Sequence, residues 1–498
     1  MRKKLEMFKF SIVSIISVIT FVTIFTSCSN QLSQYIEVYE TTGTKSKLLT
    51  RQTDLEFKDI NNDSDNAIFM IDEKAKEQEI EGFGVAITHS SAYVLMQIDK
   101  ERREQILKDL FSKEDGAGFE LIRLPIGASD YAGMVDGELK HFTLDDVASG
   151  DNDVDLEKFN IDVDLETIIP VVKEILEINP NVKIVSTPWS APAWMKNTNS
   201  LYGGSLLEEN EDVYTEYLIK YLKMYKEQGI SIKYLTLQNE PMLGNSNYPV
   251  MLMGEYQQLS LVKKLGKKFA SSGFKDTKIL AYDFNYSEKI GDITKDFIDT
   301  VLGDKTAQKY VEGVAFHGYE NDGLEDFVPG FSYVNDKYNK MSLVTEMTEG
   351  KWSVDFANNL SYSLTNVVLG PLNYYSAGTI YWNAVLYEDG SPVLGGGENS
   401  LGVISVADDG VNEKGAAYYA MAHISKFINC QNGKAPVRLV SECESPNIIA
   451  VAIKRGDGKI VTVLHNTSSR FPESVDIQYK NKSFTYEIQP QSVVTFIW

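Results

Sequence analysis

The feature that most constrains the fold is a series of eight short apolar runs separated by helical patterns. The runs are Gly82 to Thr88, Phe119 to Ile126, Lys183 to Pro188, Tyr234 to Asn239, Lys278 to Asp283, Gly313 to His317, Met341 to Thr345 and Gly378 to Asn383. Amphipathic stretches lie between them: Leu165 to Glu177, Asp212 to Gln228 with Gly229 as a stop signal, and Gly254 to Ser272 with Gly273 likewise. Alternation of this kind predicts a parallel sheet with crossover helices. Eight units favour a closed (β/α)₈ barrel over an open sheet, where a glycine-rich nucleotide turn should follow the first strand. Gly82-Phe-Gly84 lacks that spacing.

The chain ends read differently. Ile36 to Tyr39, Ala67 to Ile71, Asn447 to Ile453, Lys459 to Leu464 and Ser492 to Trp498 look like strands between turns, and they predict one β-sandwich made from both ends. At 498 residues the chain has room for a large domain of about 250 to 350 residues and a smaller one. The expected division is 1–27 export signal, 28–80 linker and sandwich strands, 81–430 barrel and 431–498 sandwich.

In a barrel of this type the residues just past each strand form the working face. The fourth run ends Leu237-Gln-Asn-Glu240-Pro241, and the seventh ends Val344-Thr-Glu346. Two carboxylates at strand ends are the minimum apparatus for glycoside hydrolysis, one to protonate the leaving oxygen and one to attack or to activate water. Glu349 is a rival to Glu346, but it lies beyond the apolar run and is expected to face solvent. Trp189 and Trp194 offer flat apolar faces to a sugar, with barrel packing as the alternative for Trp194. An inward Arg123 could orient a carboxylate, and Asp130 could bind sugar hydroxyls. His317 and Tyr319 follow the sixth run; Trp382 and Asn383 end the eighth. Asp151-Asn-Asp-Val-Asp155 has part of a calcium loop but neither its glycine nor its closing glutamate, which favours a solvated loop.

A formal charge of −22 argues against nucleic acid as a partner, since phosphate binding needs a basic surface. Arg2, Lys3, Lys4 and Lys9 precede an uncharged apolar run from Phe10 to Thr26, the order of an export signal. Phe25-Thr-Ser-Cys28 resembles the lipobox of bacterial lipoproteins. That likeness implies lipidation at Cys28, secretion across the bacterial cytoplasmic membrane and anchoring at the cell surface. Removing the net +3 of residues 1–27 leaves −25. Cys430 and Cys443 then remain, either bridged or as two buried thiols, with no zinc-site spacing.

Glu81-Gly-Phe-Gly84, Ile122-Arg-Leu-Pro125, Pro188 to Trp194, Gln238-Asn-Glu-Pro241, Phe316-His-Gly-Tyr319, Val344-Thr-Glu346 and Tyr381-Trp-Asn383 resemble the motifs of glycoside hydrolase family 30, in order. The family includes glucosylceramidases, β-1,6-glucanases and xylanases. The resemblance implies a retaining enzyme without cofactors, acting on a carbohydrate or glycolipid with β-glucosidic bonds. Glu240 would be the acid/base, Glu346 the nucleophile and Asn239 the 2-hydroxyl ligand; Asp130, Trp189, Trp382 and His317 or Tyr319 would line the sugar site. Endo-β-1,6-glucanase or xylanase action is the alternative within catalysis, and a non-catalytic carbohydrate-binding lipoprotein the alternative outside it. The segment Leu386 to Asn399 departs from the glucosylceramidase-like pattern, so leaving-group recognition is less constrained than recognition of the sugar.

Overall fold

The computed structural model describes residues 35–61, 63–286, 291–319, 324–353, 355–397, 399–407, 409–429 and 433–498. The export segment, Cys28 and Cys430 lie outside the described residues; Cys443 is a free thiol.

The eight apolar runs form a closed parallel barrel. Its strands are β1 (Gly82–Ala86), β2 (Leu121–Ile126), β3 (Lys183–Pro188), β4 (Tyr234–Leu235), β5 (Lys278–Asn285), β6 (Val311–His317), β7 (Met341–Glu346) and β8 (Ser376–Tyr381). They run near-continuously buried, as strands covered on both faces must. The β8–β1 seam depends on glycine, because a side chain on Gly378 would strike the carbonyl of Gly82. Between the strands, helices follow the amphipathic stretches, including Ile168–Ile178, Glu211–Glu227 and Glu255–Ser272. The last is closed by Gly273 at φ +81°, a left-handed cap that favours glycine. The expected helix at Leu165 begins instead at Ile168, because Thr167 leaves helical geometry and separates it from the short helix Asp162–Glu166.

The barrel interior explains where the site sits. Leu121, Val185, Tyr234, Leu280, Ala315, Leu343 and Ile380 form one buried apolar layer. Side chains alternate along a strand, so the next inward positions lie two residues further on. Those positions are Arg123, Thr187, Thr236, His317, Thr345 and Trp382, with β5 as the exception. In β5, Tyr282 and Asp283 have φ of +72° and +75°, and the pairing with β6 slips at this point. This bulge turns Tyr282 outward onto Thr294 and Phe297, and Asp283 takes the inward place.

The two chain ends build one β-sandwich. The strand Tyr35–Thr41 pairs with Val493–Ile497, and the sheet continues through Ile460–Asn466, Ile448–Lys454, Val437–Cys443, Ala67–Glu79, Glu473–Tyr479 and Lys482–Ile488. It closes over an aromatic cluster in which Phe484 meets Phe496 and Trp498. The helix Ala416–Ile428 joins the two parts: both ring nitrogens of His423 meet sandwich hydroxyls, those of Thr495 and Thr41 at 2.8 Å.

Candidate active site

Glu240 follows β4, where the chain leaves the sheet. Its φ of +48° reverses the backbone, and its N–H donates to the carbonyl of Asp283 at 2.9 Å. Asn239 donates from its backbone to Pro188, while Gln238 Nε2 donates to the carbonyl of Trp189 at 2.6 Å. The Gln-Asn-Glu-Pro turn is thus tied to both neighbouring strands. Glu346 ends β7, and its carbonyl accepts from the N–H of Gly318.

These turns bring the two glutamates together. One carboxylate oxygen of Glu240, one of Glu346 and a ring nitrogen of His317 all lie within 4.8 Å of one another. Arg123 Nη1 donates to Glu346 Oε2 in a short charge-assisted contact, and the hydroxyl of Tyr319 donates to Oε1 at 3.0 Å. The second terminal nitrogen of Arg123, Nη2, donates to Asn239 Oδ1 at 2.7 Å and Asp283 Oδ2 at 3.0 Å. With its oxygen occupied, Asn239 has its amide N–H groups left to offer a ligand. Glu240 faces His317 Nδ1 at 3.5 Å and accepts from the Tyr248 hydroxyl at 3.4 Å.

Asp283 is the hub of this network. Besides Arg123, it accepts from Thr236 at 2.7 Å and Thr345 at 2.6 Å, and it pairs with His317 Nε2 at 3.1 Å. Burial opposes its charge, but Arg123 and His317 hold its carboxyl well below the usual carboxylate range. Burial likewise opposes a charge on His317; the carboxylates of Glu346, Asp283 and Glu240 outweigh it and raise the imidazole to about 9. Asp130 is pushed the other way: burial, reinforced by Glu346 and Glu240, raises its carboxyl well above the ordinary value. Arg123 and His317 thus stand as two buried cations against the Asp283 carboxylate and the two glutamates.

The remaining expected residues are placed as follows. Trp189 and Trp382 stack on each other at 5.0 Å, with the Arg123 guanidinium over both rings, so they form one layered block and not two separate platforms. Asn383 is fully buried at φ +63°; its oxygen accepts from Thr88, and its amide nitrogen has no hydrogen-bond partner among the described residues. Trp194 is a packing residue, its indole N–H donating to Asp145 Oδ2 at 3.0 Å. Asp153, in the acidic loop, accepts from the backbone N–H of Lys158.

Glu349 does not face solvent, contrary to expectation. It is 9% exposed, accepts from Ser363 Oγ at 3.1 Å and lies near the start of the helix at Ala416, where burial raises its carboxyl to about 7. Leu401, in the segment after β8, donates to its carbonyl and helps cover it. Asp283 and Tyr248 are site residues that no motif marks in the sequence. The one available signal for Asp283 was a carboxylate ending an apolar run, as in β4 and β7.

Residues 80–428 match the glycosyl hydrolase family 30 TIM-barrel domain, and residues 437–496 match the family 30 beta sandwich domain. A Caenorhabditis elegans protein named as a candidate glucosylceramidase is 30% identical over 444 residues, spanning 86% of this chain and 82% of its own. The endo-1,6-beta-D-glucanase BGN16.3 of Trichoderma harzianum is 30% identical over 368 residues, spanning 71% and 70%. Among solved structures, the endo-beta1,6-glucanase BT3312 superposes with a TM-score of 0.82 at 28% identity, covering 93% of this chain and 99% of that one. Barrel, sandwich and paired glutamates thus coincide with sequence matches over most of the chain, and the protein belongs to glycoside hydrolase family 30.

Proposed function

We propose that this glycoside hydrolase cleaves β-glucosides with retention, in a double displacement in which Glu346 is the nucleophile and Glu240 the acid/base. The observation that carries the reading is the 4.8 Å cluster of Glu240, His317 and Glu346. A retaining pair stands about 5 to 5.5 Å apart, whereas an inverting pair leaves room for water at roughly 6.5 to 9.5 Å. Glu346, aimed by Arg123 and Tyr319, attacks the anomeric carbon while Glu240 gives its proton to the leaving oxygen. The His317 cation beside Glu240 stabilises the carboxylate left behind, which then takes a proton from the water that releases the sugar. Proton NMR of the first-formed sugar tests this: the β-anomer should appear before mutarotation, and an initial α-anomer would overturn retention.

A glucosylceramidase-like action fits one set of relatives. Endo-action on a β-1,6-glucan is the second reading, favoured by the likeness to the Trichoderma enzyme and to BT3312. The proposal includes export and lipidation at Cys28, supported by the basic-then-apolar leader before it. Incorporation of a labelled fatty acid into the wild-type protein but not into Cys28→Ser is the expected result.

A further inference from the structure

The helix Ala416–Ile428 runs from the mouth of the barrel to its base. At its start, Gly415 lies against Glu349, just past the end of β7. Near its far end, Ser425 Oγ donates at 2.6 Å to the carbonyl of Ala117 and Lys426 Nζ at 2.9 Å to that of Gly116, in the turn that leads into β2. The strand Tyr35–Thr41 lies along this helix in the opposite sense. Tyr39 meets Phe427, in the last turn of the helix, at 4.6 Å between ring centroids; Thr41 meets His423, in its middle; and Lys45 reaches Glu413, before its start, at 3.0 Å. The chain therefore climbs from base to mouth, and Tyr35, 55% exposed, stands at the base end. The turn Arg455–Lys459 is at the same end, since Arg455 Nη1 donates to the carbonyl of Phe427 at 3.1 Å. Ile460 pairs there with Trp498, whose ring packs on Tyr479. Arg455, Lys459, Lys480 and Lys482 stand beside Asp457, Glu37, Glu73 and Asp59, so their charges cancel in pairs. In a chain of formal charge −22, this end thus presents balanced charge to an anionic lipid surface.

We infer that the sandwich end around Tyr35 and the Arg455–Lys459 turn faces the bilayer that holds the lipidated Cys28, so that the barrel mouth opens away from it, onto carbohydrate outside that membrane. The inference rests on the proposed lipidation at Cys28. Seven residues, Cys28 to Gln34, precede Tyr35. Whatever their conformation, they span at most about 25 Å. The strand from Tyr35 to Tyr39 and the helix back from Phe427 to Ala416 together set the mouth about 30 Å beyond Tyr35. With the mouth pressed to the bilayer, Tyr35 would stand further from it than this tether reaches. With the Tyr35 end down, the tether is not stretched. A glycolipid in the enzyme's own bilayer therefore lies out of reach of Glu240 and Glu346, whereas a glucan chain arriving from solution meets an open mouth. Of the two proposed substrate classes, the tether favours the glucan.

The test uses the full-length, lipidated enzyme in vesicles of phosphatidylcholine and phosphatidylglycerol that carry an energy-transfer acceptor on their headgroups. In a Cys430→Ser, Cys443→Ser background, a donor dye is attached through Asn481→Cys at the sandwich end, or through Glu138→Cys in the hairpin after β2 at the mouth. Transfer should be at least threefold stronger from position 481. Equal or stronger transfer from position 138, with fatty acid incorporated at Cys28, overturns the orientation and leaves the lipidation standing. No fatty acid at Cys28 overturns both. Inserting about thirty Gly and Ser residues between Asn30 and Gln31 frees the tether and should bring the two signals together; a difference that survives removes the tether as its cause. Cleavage of a lipid-linked β-glucoside in the same vesicles, within tenfold of the rate for a soluble aryl β-glucoside, also overturns the orientation.

Discussion

His317 at the barrel mouth and His423 and His465 at the junction of barrel and sandwich are equally buried, yet their surroundings oppose each other. Burial pushes His423 down to about 3 and His465 to about 4, and neither has a carboxylate among its hydrogen-bond partners. Their partners are the hydroxyls of Thr41, Thr495 and Ser361 and the carbonyl of Ser492. His317 meets three carboxylates and rises to about 9. Desolvation alone selects the neutral ring; only a site that has gathered charge for another purpose keeps a buried imidazolium. The mouth concentrates charge, and the junction excludes it.

The largest break in this comparison comes from the mouth. Arg123→Leu takes from Asp283 and Glu346 the guanidinium that bridges them, and removing one partner of a buried pair costs about 3–5 kcal/mol. Denaturant unfolding should show that loss, with turnover abolished; a variant of wild-type stability would contradict the network. At the junction, both folded pKa values lie below the ordinary value of about 6.5. The unfolded chain therefore takes up protons first, and stability falls as pH drops through about 6.5 towards 4 and 3. The slope is at most about 1.4 kcal/mol per pH unit for each ring. His423→Gln should flatten the fall in melting temperature between pH 7 and 5.

Glu349 sharpens the contrast within one loop. Its folded pKa, about 7, is raised above the unfolded one, so its effect is strongest in acid and stability is lost as pH rises towards 7. Glu349→Gln should remove that trend and leave turnover within about threefold, because the residue meets Ser363 and not Glu240. Should Glu349→Gln abolish turnover in a folded protein, the nucleophile assignment would need revision. The smallest effect is expected of Trp194→Phe, which loses its bond to Asp145 at a cost of about 1 kcal/mol without changing activity.

The barrel was legible because each strand is a short apolar run with its own stop, and Glu240 and Glu346 were legible because each closes one. Arg123 and His317 follow from simple alternation above the apolar layer. Asp283 does not: counting by twos from Leu280 points Tyr282 inward, and the bulge that reverses them leaves no mark in residue type. Glu349 was misplaced for a related reason. Lying past an apolar run says nothing about whether a distant segment will cover it, and Leu401 and the helix at Ala416 do. The stacking of Trp189 on Trp382 joins strands nearly two hundred residues apart and is a tertiary fact.

The pairing of Glu346 with Glu240 is tested most directly by trapping the enzyme with a mechanism-based 2-fluoroglucoside and locating the label by peptide mass spectrometry. One sugar per chain is expected, on Glu346. A label on Glu349 or Glu240, or no label on Glu346 in an active enzyme, would contradict it.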